Sequence, residues 1–118
     1  MLVKVLKSKL HRATVTATRL HYTGSIAIDS ALMEAAGILE YESVLVADIT
    51  NGNRLETYVV AAEAGSGEIS VLGAAAQLVE PGDVVIILNF AYMTPQEAAS
   101  HKPKVLVLGE KNQIEKIL

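Results

Sequence analysis

Hydrophobic and polar positions in this chain alternate in short runs that read as strands separated by turns. Val3, Val5 and Leu6 among lysines predict a first short strand. From His11 to Leu20, Ala13, Val15 and Ala17 alternate with Thr14, Thr16 and Thr18, the period of two of a strand with one polar face. Ile26-Ala27-Ile28 resumes the pattern after Gly24-Ser25. Asp29 or Ser30 then caps a short helix through Glu34-Ala35-Ala36, which Gly37 ends. Aliphatic residues from Ser43 to Ile49 predict a buried strand, and Thr50-Asn51-Gly52-Asn53 turns it back into Arg54 to Ala62 as a hairpin. Ser66-Gly67 leads into Glu68 to Leu72, and the small residues Gly73-Ala74-Ala75-Ala76 suit a single helical turn. Glu80-Pro81-Gly82-Asp83 feeds a long strand, Val84 to Phe90. Thr94, Pro95 and Glu97 form the capping-box pattern of a second helix. Lys104 to Leu108 and Ile114 to Ile117 are the last strands, joined by Gly109-Glu110-Lys111-Asn112.

Many short strands with two brief helices describe a small β-barrel better than a sandwich or an α/β fold. A weak internal repeat points the same way. Residues 35 to 46 laid over 75 to 86 match at Ala35/Ala75, Ala36/Ala76, Glu40/Glu80 and Val44/Val84, with aliphatic pairs between. In each copy a small-residue turn leads through a polar turn into an aliphatic strand. Two interleaved halves of this kind build a double-psi β-barrel.

At 118 residues the chain is one domain, 1–118, that buries roughly two-thirds of its unfolded surface. Hydrophobic residues make up 51% and aromatic residues 4%, so Val, Ile, Leu and Ala must fill the core and some apolar surface stays uncovered. A homo-oligomer would bury it. A net charge of -3 argues against a nucleic-acid partner. With no cysteine there is neither a disulfide frame nor a thiolate metal site, which fits a cytoplasmic protein. His11, His21 and His101 lack regular spacing, so no metal site is expected. The longest apolar run, Val84 to Met93, is too short for a membrane span, and the first residues lack the apolar core of a signal peptide.

Gly24-Ser25 is the stretch with the most chemistry. Most Gly-Ser pairs are only turns. The sharper reading is a self-cleaving bond, in which the serine hydroxyl attacks the preceding carbonyl and the resulting ester eliminates. Read singly, Lys9, His11, Tyr22, Arg54 and Tyr58 would be solvated or packed, and Gly73-Ala74-Ala75 a tight packing spot.

Together these residues resemble one family. Lys9-x-His11-Arg12, Leu20-His21-Tyr22-x-Gly24-Ser25, Ile28-Asp29, Ala35-Ala36-Gly37-Ile38, Thr50-Asn51-Gly52-x-Arg54, Thr57-Tyr58, Gly73-Ala74-Ala75-Ala76 and Gly82-Asp83-x-Val85-Ile86 are similar in order and spacing to aspartate 1-decarboxylase. The resemblance implies a double-psi β-barrel, a homotetramer, and a precursor cleaved at Gly24-Ser25 into a β chain, 1–24, and an α chain, 25–118. It implies a covalent pyruvoyl cofactor made from Ser25, which forms a Schiff base with L-aspartate and acts as electron sink for its decarboxylation to β-alanine, a precursor of pantothenate. The family's proton donor falls on Tyr58, and the residue supporting the cleavage oxyanion and touching substrate falls on Thr57. Substrate-binding positions fall on Lys9 and Arg54, which supply cations for a dicarboxylate, on the loop Gly73, Ala74 and Ala75, and on Tyr22 and His11 as wall residues. One position departs: the family usually has asparagine before Gly-Ala-Ala, and here it is Leu72, which predicts one hydrogen bond fewer beside the reactive centre. A pyruvoyl decarboxylase of another amino acid, such as glutamate, and a non-catalytic barrel module are the alternatives.

Overall fold

A computed structural model describes every residue from Met1 to Leu118. Nine strands, β1 (Val3–Thr14), β2 (Ala17–Arg19), β3 (Ser25–Asp29), β4 (Ser43–Asp48), β5 (Arg54–Ala62), β6 (Ile69–Leu72), β7 (Val84–Met93), β8 (Lys104–Leu108) and β9 (Ile114–Ile117), make one mixed sheet. Two helices, α1 (Ser30–Ala36) and α2 (Pro95–Ser100), and two short 3-10 turns complete the chain. The order β2-β6-β3-β5-β4-β7-β1-β8-β9 has an internal symmetry. Outward from the antiparallel β4–β7 contact, each side meets an antiparallel strand (β5 or β1), then a parallel one (β3 or β8), then an antiparallel one (β6 or β9). The two copies of the sequence repeat end in β4 and β7, which lie side by side at that centre. The fold is mainly β with short helices, as expected of a double-psi β-barrel. Its hydrogen-bonded ladder is open between β2 and β9.

Alternation along each strand builds the core. Leu10 and Ala13 of β1, Ile26 and Ile28 of β3, Val44 and Val46 of β4, Leu55 and Val59 of β5, and Val85 and Ile87 of β7 are buried in one aliphatic cluster, which α1 covers with Leu32, Met33 and Ala36. At about 25 cal/mol per Å² of apolar surface removed from water, this cluster is the main stabilising contribution. At the first strand the structure differs from the sequence pattern. The stretch expected as two strands, around Val5 and from His11 to Leu20, is one bent strand to Thr14 and a separate three-residue β2. The break falls where Val15 N–H donates to Asp83 C=O (2.9 Å) and Thr16 N–H to Ile69 C=O (2.8 Å), bonds to two different neighbours. β1 also bulges between Leu10 and Ala13, with Arg12 at φ 63°.

The helix ends are as the sequence predicts. Asp29 caps α1, Gly37 ends it at φ 75°, and Thr94 and Glu97 close a reciprocal capping box on α2. Asp29 does more than cap. Its buried carboxylate accepts N–H bonds from Ala31 (2.8 Å), Gly65 (3.0 Å) and Gly67 (2.8 Å), tying the β5–β6 turn to the end of β3. Burial pushes its pKa up, but the N–H groups of Gly67, Ala31 and Gly65 outweigh that and hold it below the ordinary 3.8. A lowered carboxyl pKa contributes stability above its unfolded value and loses it as pH falls through the folded one. Asp29→Ala should therefore cost about 2–4 kcal/mol at neutral pH by urea unfolding, since three donors lose their acceptor. That difference from wild type should shrink as the pH is taken below 3.8.

Candidate active site

Ser25 is the first residue of β3 and is buried. Antiparallel pairing sets Ser25 opposite Leu72 of β6, and the parallel ladder that pairs Ile26 with Val59 sets Ser25 level with Tyr58 of β5. Because alternate residues face opposite sides of a sheet, Ile26 and Ile28 enter the core while Ser25 and Ala27 take the other face. Leu72 and Ser70 of β6, and Tyr58 and Val60 of β5, share that outer face.

The Gly73 loop lies directly on the peptide before Ser25. Gly73 has φ 79°, and a Cβ there would come within 2.6 Å of Gly24 Cα, 2.9 Å of Gly24 N and 3.1 Å of the Tyr22 carbonyl. Only glycine allows this approach. By contrast, a Cβ on Gly24 would meet nothing nearer than Leu72 C=O at 3.9 Å, so packing does not require glycine at position 24. Gly73 opens a 3-10 turn to Gln77, which leaves Ala74 exposed and Ala75 packed on the core edge.

The structure groups Tyr22, Gly24, Ser25, Gly73 and Tyr58, and leaves the other sequence candidates further off. Tyr22 is exposed and lines a surface cavity with Leu72 and Ala27. Tyr58 is 39% exposed, its ring 6.4 Å from that of Tyr41, a neighbour that no local pattern indicated. Thr57 is half-buried on the core side of β5 with Leu55 and Val59, the face opposite to that of Tyr58 and Ser25. Arg54 opens β5, four residues before Tyr58 on the same face, about 13 Å away at 3.3 Å per residue. Lys9 lies on β1, in register with Leu88, Leu45 and then Glu56 across three strand spacings. His11 pairs with Val107 of β8, and its Nδ1 is buried without a partner. Desolvation, then the charges of Lys9 and Arg12, lower the pKa of His11, which favours a neutral imidazole. Arg19, Ala27 and Val60 line the same surface cavity as Tyr22 and Leu72. Sequence reasoning passed over them because only the strand pairing brings them there.

A family profile described as aspartate decarboxylase matches residues 1–115. The chain belongs to the aspartate decarboxylase family. It is 55% identical over 117 residues to the aspartate 1-decarboxylase of Caldicellulosiruptor saccharolyticus, covering 99% of this chain and 91% of that relative. It is 56% identical over 114 residues to that of Clostridium kluyveri, covering 97% and 90%. With that of Clostridium beijerinckii it shares 54% identity over 117 residues, 99% and 94% of the two chains. Around Ser25, a small hydroxyl side chain is buried at a strand start, the residue before it is a glycine that packing does not require, and a phenol stands level with it one strand away. No helix of the structure is long and apolar enough to cross a membrane.

Proposed function

We propose that the chain is a self-processing, pyruvoyl-dependent aspartate decarboxylase that converts L-aspartate to β-alanine and CO2 for pantothenate synthesis in the cytoplasm. The observation that carries it is the packing of Gly73 on Gly24 with Tyr58 level with Ser25. The residues present fit a pyruvoyl group. Ser25 is the one hydroxyl residue of the Gly24 junction on the sheet face that Tyr58 shares, and a glycine before it leaves the attacked carbonyl unshielded. Once formed from Ser25, the group would supply an electron sink for decarboxylation.

The chain's own residues do the remaining work. Ser25 Oγ supplies the nucleophile for cleavage after Gly24, giving fragments 1–24 and 25–118. Thr57 supports the oxyanion of that step and contacts substrate. Tyr58 holds a proton for delivery to carbon. Gly73, Ala74 and Ala75 offer backbone N–H groups at close range, and Tyr22 and His11 wall the site. Arg54 and Lys9 supply cations for the dicarboxylate. On one chain β4 and β7 separate Lys9 from β5, and the outward Leu45 and Leu88 form an apolar strip between Lys9 and Glu56. A homotetramer would bury that strip.

The test is an intact mass spectrum of purified protein, read beside β-alanine formation from L-aspartate. A 24-residue fragment with a pyruvoyl-blocked larger one, and turnover of aspartate over glutamate, are expected. An uncut chain with no turnover after warm incubation would favour the binding-module reading. Gly73→Ala should slow cleavage roughly ten- to hundredfold, because its Cβ would displace the Gly24 backbone at a cost of about 1–3 kcal/mol. A time course of fragment release measures it.

A further inference from the structure

The segment between α1 and β4 holds Tyr41 in a backbone shape that tyrosine rarely takes. Its φ is 72°, in the left-handed region, where a bulky side chain is a genuine outlier. Tyr41 N–H donates to Val59 C=O (2.7 Å), and Val59 N–H donates to Glu42 C=O (3.0 Å). Two residues ahead of β4 thus oppose one residue of β5, a β-bulge whose first position is Tyr41. Glycine is the usual occupant of that position, because it has no Cβ to clash. The pairing continues with Ser43 opposite Tyr58, so the bulge adjoins the residue that stands level with Ser25.

The bulge is clamped from both neighbouring strands of the sheet. The Glu42 carboxylate accepts from Leu39 N–H (2.7 Å), from Lys7 Nζ of β1 (2.6 Å) and from Asn89 Nδ2 of β7 (3.3 Å). Asn89 is wholly buried, and its amide also donates to Ser43 C=O (3.0 Å). Tyr41 itself is exposed and takes no part in the aliphatic cluster, so core packing does not explain a tyrosine there. Its ring meets Tyr58 instead, with centroids 6.4 Å apart and planes at 43°. That spacing lies in the range over which aromatic pairs attract. Bulges beside reactive centres commonly re-aim a side chain.

We infer that Tyr41 is a positioning residue for Tyr58: its ring, presented by the bulge, keeps the Tyr58 phenol over the face that carries Ser25. A partly exposed tyrosine has more than one staggered rotamer open to it. Tyr41 stands on the β4 side of Tyr58 and Ser25 on the β3 side. The Tyr41 ring therefore takes up the space into which the phenol would swing away from Ser25. Aim matters for a proton delivered to carbon, since a misplacement of about 1 Å can cost on the order of a hundredfold in rate. The contact runs through the rings, so the hydroxyl of Tyr41 is not needed for it. Backbone strain at position 41 is tolerated because the clamped loop holds it in place.

The role of Tyr41 rests on the proposed decarboxylase reading, with Tyr58 as proton donor, and the experiment separates the two. Wild type, Tyr41→Phe, Tyr41→Gly, Tyr58→Phe and the Tyr41→Gly/Tyr58→Phe double variant are compared. Self-cleavage is followed by mass spectrometry, and kcat and KM are measured with L-aspartate. Tyr58 ring signals are recorded by NMR in tyrosine-labelled protein, with Tyr58→Phe giving their assignment. Tyr41→Gly relieves the positive φ, so it should fold and cleave as wild type does. Its KM should stay within about threefold while kcat falls roughly ten- to hundredfold. Tyr41→Phe should keep kcat within about threefold. On the Tyr58→Phe background Tyr41→Gly should cost nothing further, because no phenol is left to aim. A merely structural tyrosine would instead lower kcat by the same factor on both backgrounds, and that result would overturn the inference. Wild-type kcat in Tyr41→Gly would overturn it too. A wild type that neither cleaves nor decarboxylates would refute the proposed function, and the NMR signals then decide the role of Tyr41. Tyr58 signals that move to those of a free tyrosine in Tyr41→Gly, but not in Tyr41→Phe, would support it. Signals unchanged in Tyr41→Gly would overturn it.

Discussion

Ser25→Ala should remain a single uncut chain and form no β-alanine. On the proposed function, cleavage would begin with attack of Ser25 Oγ on the Gly24 carbonyl carbon, moving the acyl group from nitrogen to oxygen. The ester would then eliminate, leaving the Gly24 carboxylate and a dehydroalanine, which water would convert to the pyruvoyl group with loss of ammonia. Alanine has no oxygen for the first step, so neither the cut nor the carbonyl needed for decarboxylation is made. The expected loss is the whole rate enhancement, at least about a millionfold. The substitution is small and volume-conserving at a site that is buried against Leu72, so the variant should fold. An unfolding midpoint close to that of uncut wild type, beside one peak in the mass spectrum, is the expected pair of results. Two fragments from Ser25→Ala would mean that another protease makes the cut.

Tyr58→Phe should separate cleavage from turnover. Cleavage needs an attacking hydroxyl and a stabilised oxyanion, neither of which a phenol at position 58 provides. Decarboxylation leaves negative charge on carbon that must be protonated from a donor on the Ser25 face. Tyr58 is level with Ser25 and partly open to solvent, so its proton can be replaced between turnovers. Loss of a general acid costs about 10²–10⁴ in rate. The phenylalanine variant should therefore yield both fragments and bind aspartate normally, while releasing β-alanine that much more slowly. Its ring keeps the contact with Tyr41, so packing should change little. Wild-type turnover in this variant would move the donor elsewhere, with the exposed Tyr22 next to examine.

The line Leu72–Ser25–Tyr58 shows what a single sequence withholds. Its members sit in β6, β3 and β5, far apart in the chain. Gly24-Ser25 and Thr57-Tyr58 were legible as motifs through the family resemblance. Tyr41 was not, because no local pattern marks the bulge that sets its ring against Tyr58. Lys9 and Arg54 were read from the same motifs as a pair of cations, yet on one chain they lie apart on the sheet.

Features set by near neighbours in the chain were determined by the sequence itself. The helix from Ser30 follows from Asp29 before it and Gly37 after it, and that beginning at Pro95 from Thr94 and Glu97. The hairpin between β4 and β5 follows from Asn51-Gly52, closed by Asp48 N–H to Asn53 C=O at 2.9 Å. Such features close hydrogen bonds over a few residues, so local composition decides them. The repeat ending in β4 and β7 also foretold the two halves of the sheet. Tertiary structure alone decided that β1 runs unbroken from Val3 to Thr14 while β2 is a separate strand, because their partners β7, β8 and β6 are distant in sequence. It alone set Gly73 against Gly24 and Tyr58 level with Ser25. Ladder bonds and close backbone approaches are made between distant segments, and a local pattern carries no record of which segments will meet.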